Sequence, residues 1–154
     1  MKVGVISDTH NFLDPHILKM FHGVGHILHA GDIGQPAILD QLRQIAPVTA
    51  VAGNTDDPMF GYSLSETVEL GGLRFLVQHI VNPRLPGDDL RSRINATRPQ
   101  VVVFGHTHSP FDAEVEGIRF LNPGCAGKKR FSLPRSVAML HLRDRKMTVE
   151  ILPL

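Results

Sequence analysis

Seven side chains of kinds able to bind metal ions recur at short intervals along this 154-residue chain. Asp8 and His10 stand two residues apart, as do His106 and His108, and Asp32, Asn54 and His79 fall between the pairs. Two carboxylates, four imidazoles and one amide suit borderline divalent ions such as manganese, iron, cobalt, nickel or zinc. Seven donors are too many for one tetrahedral zinc and fit two ions that share a carboxylate. In extended chain, residues two apart point to the same side, so each close pair is expected to aim at one centre. Gly31, Gly53 and Gly105 directly precede Asp32, Asn54 and His106. They are expected to supply bends free of a Cβ, letting the backbone crowd the site.

Such donors need a scaffold that gathers them. Val3–Ile6, His26–His29, Pro47–Val51, Leu73–Gln78 and Val101–Phe104 are short apolar runs, and each ends shortly before one of the donors. Read as strands, they place all seven donors outside strand carboxyl ends, where open α/β sheets bind ligands. Asp14-Pro15 opens a helix to about Phe21, and Pro36 opens a second to about Gln44 with Ile38, Leu42 and Ile45 on one face. The first third is therefore β-α-β-α-β, a parallel arrangement with right-handed crossovers. Thr67–Leu70 and Leu73–Gln78 flank Gly71-Gly72, a hairpin signature. Asp88 or Asp89 is expected to cap a short helix to about Asn95. Phe111–Val115 with Ile118–Leu121, and Ser136–His141 with Met147–Leu152, predict two further hairpins. The second half is thus expected to be mostly antiparallel, giving two sheets packed face to face with helices outside.

Composition narrows the possibilities. Hydrophobic residues are 42% and charged residues 20%, a globular balance at a length typical of one domain, so residues 1–154 are expected to form a single domain. The formal net charge is +1, with no basic excess for nucleic acid, and the absence of Trp argues against a base-stacking platform. One cysteine excludes an intramolecular disulfide framework and fits a reducing compartment. No apolar run reaches the roughly 20 residues of a membrane helix, and the start lacks a signal-peptide core. A cytoplasmic protein without a membrane or nucleic-acid partner is expected; self-association into a homo-oligomer is compatible with the sequence.

Asp8-Thr9-His10, Gly31-Asp32, Gly53-Asn54-Thr55-Asp56, His79 and Gly105-His106-Thr107-His108 resemble, in order, the five motifs of the calcineurin-like metallophosphoesterases. His29-Ala30-Gly31-Asp32 and Asn122-Pro123-Gly124-Cys125 are similar to the pattern of that superfamily's small YfcE-like phosphodiesterase branch. The resemblance runs from about residue 3 to residue 136. It implies a four-layer α/β/β/α sandwich of two mixed β-sheets flanked by helices. It also implies one ion held by Asp8, His10 and His108, another held by Asn54, His79 and His106, and Asp32 bridging both. These seven residues are then both the metal ligands and the catalytic set. The implied cofactors are two divalent ions, manganese first, with iron, nickel, cobalt or zinc as other candidates. The implied reaction is hydrolysis of a small phosphoester, a phosphodiester foremost, by a metal-bridging hydroxide. The alternative is a non-catalytic protein-binding scaffold, since a retromer subunit shares this fold.

Three departures from the family pattern stand out. Thr55 replaces the histidine that assists the leaving group in larger relatives, which leaves Asp56 as the candidate proton donor. Ile80 follows His79 where Gly is usual, narrowing the approach to the second ion, and Cys125 replaces Ser. Cys125 is not expected to be a nucleophile, because a cysteine phosphatase needs Arg six positions on and position 131 is Phe131. His16, His22, His26 and His141 have no motif around them and read as ordinary core or surface residues, whereas His29, just before Gly31-Asp32, reads either as a partner of a site ligand or as an ordinary structural residue. Asn122-Pro123-Gly124 reads as a turn near the site, and Lys128-Lys129-Arg130 as a solvated basic turn. Imidazoles bind metal only when neutral, so metal affinity is expected to fall as pH drops through roughly 6 to 5.

Overall fold

The computed structural model describes residues 1–130 and 132–154. Phe131, which argues in the sequence against a cysteine-phosphatase loop, lies outside the described residues. The elements in chain order are β1 (Lys2–Ile6), α1 (Pro15–Met20), β2 (His26–His29), α2 (Ala37–Arg43), β3 (Val48–Ala50), a 3-10 turn (Pro58–Phe60), β4 (Ser65–Leu70) and β5 (Leu73–Gln78). They continue with α3 (Asp88–Thr97), β6 (Val101–Val103), β7 (Phe111–Val115), β8 (Ile118–Asn122), β9 (Ser136–Arg143) and β10 (Lys146–Pro153). Two five-stranded sheets result, ordered β10-β9-β1-β2-β3 and β4-β5-β6-β8-β7.

Both sheets are mixed. β1, β2 and β3 are parallel, and the C-terminal hairpin joins them antiparallel through β9 on β1. The second half is mostly antiparallel, as expected, through β4–β5, β7–β8 and β9–β10, but in the second sheet β5–β6 and β6–β8 are parallel. α3 makes the first of these parallel pairs possible. A parallel pair needs a crossover of a dozen or more residues, and the segment between β5 and β6, helix included, supplies it. The antiparallel pairings of that sheet are its two hairpins, β4–β5 and β7–β8.

Alternation along the central strands builds three apolar layers. Val3, Val5, Phe75, Val77, Val101, Val103, Ala138 and Leu140 fill the space between the sheets. Ile6, Val137 and Met139 face outward and meet Ile17 and Phe21 of the α1 segment and Ile38 and Leu42 of α2. On the far side Leu76, Val102 and Phe120 meet Leu90 and Ile94 of α3. β6 is buried on both faces, which is why it reads as an unbroken Val run rather than an alternating one. The architecture is the four-layer α/β/β/α sandwich, with α1 and α2 outside one sheet and α3 outside the other.

Helix ends follow local chemistry. Asp14 caps α1 by accepting from the His16 N–H at 2.9 Å, and Pro15 occupies the first turn. α3 differs from expectation: its N-cap is Gly87, without a side-chain cap bond, and Asp88 and Asp89 sit in the first turn, where negative charge favours the helix dipole. Among the described residues no helix is long and apolar enough to cross a membrane.

Candidate metal centre

The carboxyl ends of five strands converge on one edge of the sandwich. Asp8 and His10 follow β1, Asp32 follows β2, Asn54 follows β3, His79 directly follows β5, and His106 and His108 follow β6. Backbone bonds knit these loops together. Asp8 N–H donates to Gly31 O (3.0 Å), His10 N–H to Asp32 O (2.9 Å) and Gly105 N–H to His79 O (3.0 Å).

All seven donors meet there, in two groups. Asp8 Oδ1 lies 3.2 Å from His108 Nε2 and 3.8 Å from His10 Nε2, and the two imidazole nitrogens are 3.4 Å apart. Asn54 Oδ1 lies 3.0 Å from both His79 Nε2 and His106 Nδ1. Asp32 Oδ2 stands between the groups, 3.2 Å from His79 Nε2 and 3.6 Å from His10 Nε2. Asp8 and Asp32 are buried beneath exposed Asn54 and His106, so the site has a buried anionic floor and an open rim. His106 and His108 face different groups, which corrects the expectation that each close pair aims at one centre. The reason is backbone conformation. Asp8, His10, Asp32, His106 and His108 all have positive φ, between 46° and 70°, so these segments are turns rather than extended chain. Left-handed non-glycine residues carry strain and cluster at functional sites.

The donor set fits divalent cations. Asp8 Oδ1 is buried and finds no hydrogen-bond donor in proper geometry among the described residues, although three imidazoles face it, His79 Nε2 at 3.9 Å being the third. Asp8 with His10 and His108, and Asp8 with Asp32 and His79, are each gathered tightly enough to hold one ion. A cation is the species that satisfies an orphaned carboxylate oxygen and several imidazole nitrogens together.

The surrounding residues fix these ligands in place. Ser7 Oγ–H and the His106 N–H donate to Asp8 Oδ2 at 2.7 and 3.2 Å, leaving Oδ1 as the outward oxygen. Thr55 N–H donates to Asp32 Oδ1 at 2.9 Å, leaving Oδ2. Buried His29 accepts the Gly31 N–H at Nδ1 (3.2 Å), so its Nε2–H donates to Thr9 Oγ1 (3.0 Å), which in turn donates to Ile33 O (2.8 Å). Burial lowers the His29 pKa to about 3, so the ring stays neutral as this chain of bonds requires. Buried Asn122 donates to Gly105 O and Thr107 Oγ1 at 2.9 and 3.0 Å, bracing the loop that carries His106 and His108. Gly53 and Gly105 are required by close approach rather than by a bend, since neither has positive φ. A Cβ on Gly53 would overlap Asp32 Oδ1, and one on Gly105 would overlap Ser7 Oγ.

Asp56 has a different place from the one expected. Its carboxylate accepts three backbone N–H groups, from Ile33 (3.1 Å), Gly34 (2.9 Å) and Gly53 (2.8 Å). It ties the loop after β2 to the loop after β3, and both oxygens are already occupied as acceptors. It is therefore a brace and not a proton donor to substrate. The signal in the sequence was its place two residues after Asn54 at the end of a short strand, where a turn must be closed.

The electrostatics set a proton against a metal. Burial pushes the Asp32 carboxyl up, but hydrogen bonds from His79 and Thr55 outweigh it and hold the group well below the usual carboxylate range. Burial alone would lower His79, yet its bonds to Asp32 and to the Ala30 carbonyl (Nδ1 to O, 2.7 Å) and the nearby carboxylates hold it above 6.5. Its Nδ1–H is committed to Ala30, so Nε2 is the nitrogen that carries either a proton or a metal. At His10, by contrast, burial wins over the attraction of Asp32 and lowers the pKa. A group with raised pKa holds its proton to higher pH, so as pH falls the proton competes with an ion at His79 earlier than free imidazole suggests. Metal affinity is expected to fall on going from pH 8 to pH 6, with proton release on binding seen by calorimetry in buffers of different ionisation enthalpy. Equal affinity at both pH values would contradict this arrangement.

The remaining histidines lie apart from the site. His16 Nδ1 lies 2.9 Å from Asp14 Oδ1, His26 Nε2 lies 2.8 Å from Thr49 Oγ1, His141 pairs loosely with Glu150 at 3.8 Å, and His22 is exposed. Cys125 is buried, its Sγ–H donates to Asp8 O at 3.4 Å, and burial raises its thiol pKa, so it is a packed thiol and not a nucleophile. Lys128 sits over the Phe12 ring at 5.6 Å in an exposed turn.

Comparison with known proteins places this geometry. A probable metallophosphoesterase of Methanothermobacter thermautotrophicus is 36% identical over 160 residues, covering 99% of this chain and 92% of the relative. Wild-type Vps29 of Entamoeba histolytica, solved in complex with zinc, shares the fold with a TM-score of 0.76 at 23% identity, covering 99% of each chain. An archaeal phosphodiesterase structure superposes with a TM-score of 0.74 at 22% identity, covering 99% of this chain and 100% of that one. The calcineurin-like phosphoesterase superfamily domain matches residues 1–145. Spanning that domain from β1 to the last hairpin, the chain belongs to the calcineurin-like phosphoesterase superfamily.

Proposed function

We propose that this chain is a dinuclear metal-dependent phosphoesterase that hydrolyses phosphodiester bonds. The observation that carries this reading is the convergence of two donor groups on either side of Asp32 Oδ2. Asp8, His10 and His108 would hold one ion, Asn54, His79 and His106 the other, and Asp32 would serve both. When bound, such ions supply hydroxide from water near neutral pH and draw in the anionic phosphate. The chain's own part is to fix the ligands before substrate arrives. Ser7, Thr55 and the Ala30 carbonyl each tie up one atom of a ligand and leave the other facing the site. The open rim at Asn54 and His106 gives the phosphate access, while the buried floor keeps the carboxylates desolvated. Thr55 offers no ring nitrogen to pass a proton to a departing alkoxide, which favours esters whose leaving group needs none. The phosphodiesterase among the structural neighbours supports the choice of substrate. Manganese is the first candidate ion, and the zinc complex of a neighbour keeps zinc beside it. A protein-binding scaffold, the other use of this fold, would not need seven donors aimed at one pair of points.

Metal removal tests this reading. The purified protein is expected to hydrolyse an activated aryl phosphodiester, to lose that activity on dialysis against a chelator, and to regain it with manganese. Turnover that survives complete metal removal, or none with any divalent ion, would overturn it.

A further inference from the structure

A cavity of about 240 Å³ opens beside the rim of the metal centre, with Asn54 and His79 in its wall. An ester whose phosphate meets those two residues must put an organic group into or across this cavity. The cavity opens to solvent and has room for at least one ring. Its wall sets Ala52, Leu64 and Ile80 beside polar side chains that include Gln78, Asp89 and Arg93. Leu64 and Ile80 both line it and are 72% and 53% exposed, so two large apolar side chains face solvent within reach of a ligand. Ile80 is β-branched and therefore stiff, and Gln78 Nε2–H donates to the Ile80 carbonyl at 3.3 Å, which steadies its backbone. Arg93 also lines the cavity, but its guanidinium is engaged, Nε donating to Asp89 Oδ2 at 3.2 Å and Nη1 donating to Ser65 Oγ. Its charge is paired within the chain by Asp89, and among the described residues the cavity lining holds no other cation for a second anionic group of the substrate.

We propose that this cavity is the subsite for one organic group of the ester, and that Ile80 and Leu64 select uncharged apolar groups such as an aromatic ring. The proposal rests on the phosphoesterase reading above and deepens it. Ile80 thereby gains a role. Where the usual glycine would leave the approach to the second ion open, its side chain forms one wall of a slot and Leu64 another. A ring between them covers apolar surface that is otherwise in water, which is the source of the selectivity.

Binding of phosphonates to the zinc-loaded protein separates this claim from the catalytic one, because a phosphonate carries one organic group and is not hydrolysed. Phenylphosphonate is expected to bind about tenfold more tightly than methylphosphonate, and to shift the methyl resonances of Leu64 and Ile80. Ile80→Gly and Leu64→Ala should each cut that ratio to about threefold or less. Leu85→Ala, which alters an equally exposed leucine outside the cavity, should keep the wild-type ratio. A wild-type ratio near one, or a ratio unmoved by both cavity variants, would overturn the subsite. Selective phosphonate binding without turnover of any ester would uphold the subsite and overturn the catalytic reading instead.

Discussion

Replacing Asp32 by alanine is expected to remove both metal ions and to lower phosphoesterase activity by more than ~100-fold. The ground is geometric. Asp32 Oδ2 approaches an imidazole of each donor group, His10 at 3.6 Å and His79 at 3.2 Å, closer to both than Asp8 Oδ1 comes at 3.8 and 3.9 Å. Losing an outer partner of a ligand already costs 10–100-fold in metal affinity or activity, and loss of a shared ligand should exceed that. Asp32 also accepts the Thr55 N–H, so the variant frees the loop carrying Asn54, the proposed ligand of a second ion. The fold should survive. The substitution shortens a side chain at the sandwich edge, and the apolar layers between and outside the sheets do not include it. Circular dichroism and thermal unfolding of the metal-free proteins check this, and activity with saturating manganese checks the rate.

Leaving-group dependence should be steep. A positioned general acid contributes roughly 10²–10⁴-fold, and that contribution matters most when the departing oxygen is a strong base. Thr55 supplies no such acid, and Asp56, the remaining candidate by sequence, has both oxygens occupied by the N–H groups of Ile33, Gly34 and Gly53. Across diesters that differ only in leaving-group pKa, activated aryl esters should therefore react orders of magnitude faster than simple alkyl esters. Thr55→His is expected to flatten that slope by speeding the poor leaving groups, because Thr55 is exposed beside Asn54. A flat slope in the wild type would mean that another group supplies the proton.

Much of the fold was legible because strong local signals agreed with the tertiary outcome. Strand β2 and the β4–β5 turn follow the apolar runs and the Gly71-Gly72 pair closely, and Asp14-Pro15 marks the first helix. What the residues could not disclose was where strands pair across distance. The C-terminal hairpin joins the first sheet because β9 is buried on both faces. Its Ala138 and Leu140 face the second sheet while Val137 and Met139 face the helices, so only a covered position satisfies it. The same limit governs the site. Residue type and strand-end spacing brought out all seven donors, but the division of His106 from His108 depends on left-handed backbone that spacing does not reveal. Asp56 shows the other failure. A carboxylate beside a reactive centre looks chemical in sequence, and only its three N–H partners reveal a brace.

The most direct test is the number of ions that bind. Calorimetric titration of chelator-stripped wild type with manganese at pH 8, with metal analysis of the dialysed product, should give two ions per chain. The same titration of Asp32→Ala should give none at comparable concentration. A single ion in the wild type, or two retained in Asp32→Ala, would contradict a centre built from two donor groups around one shared carboxylate.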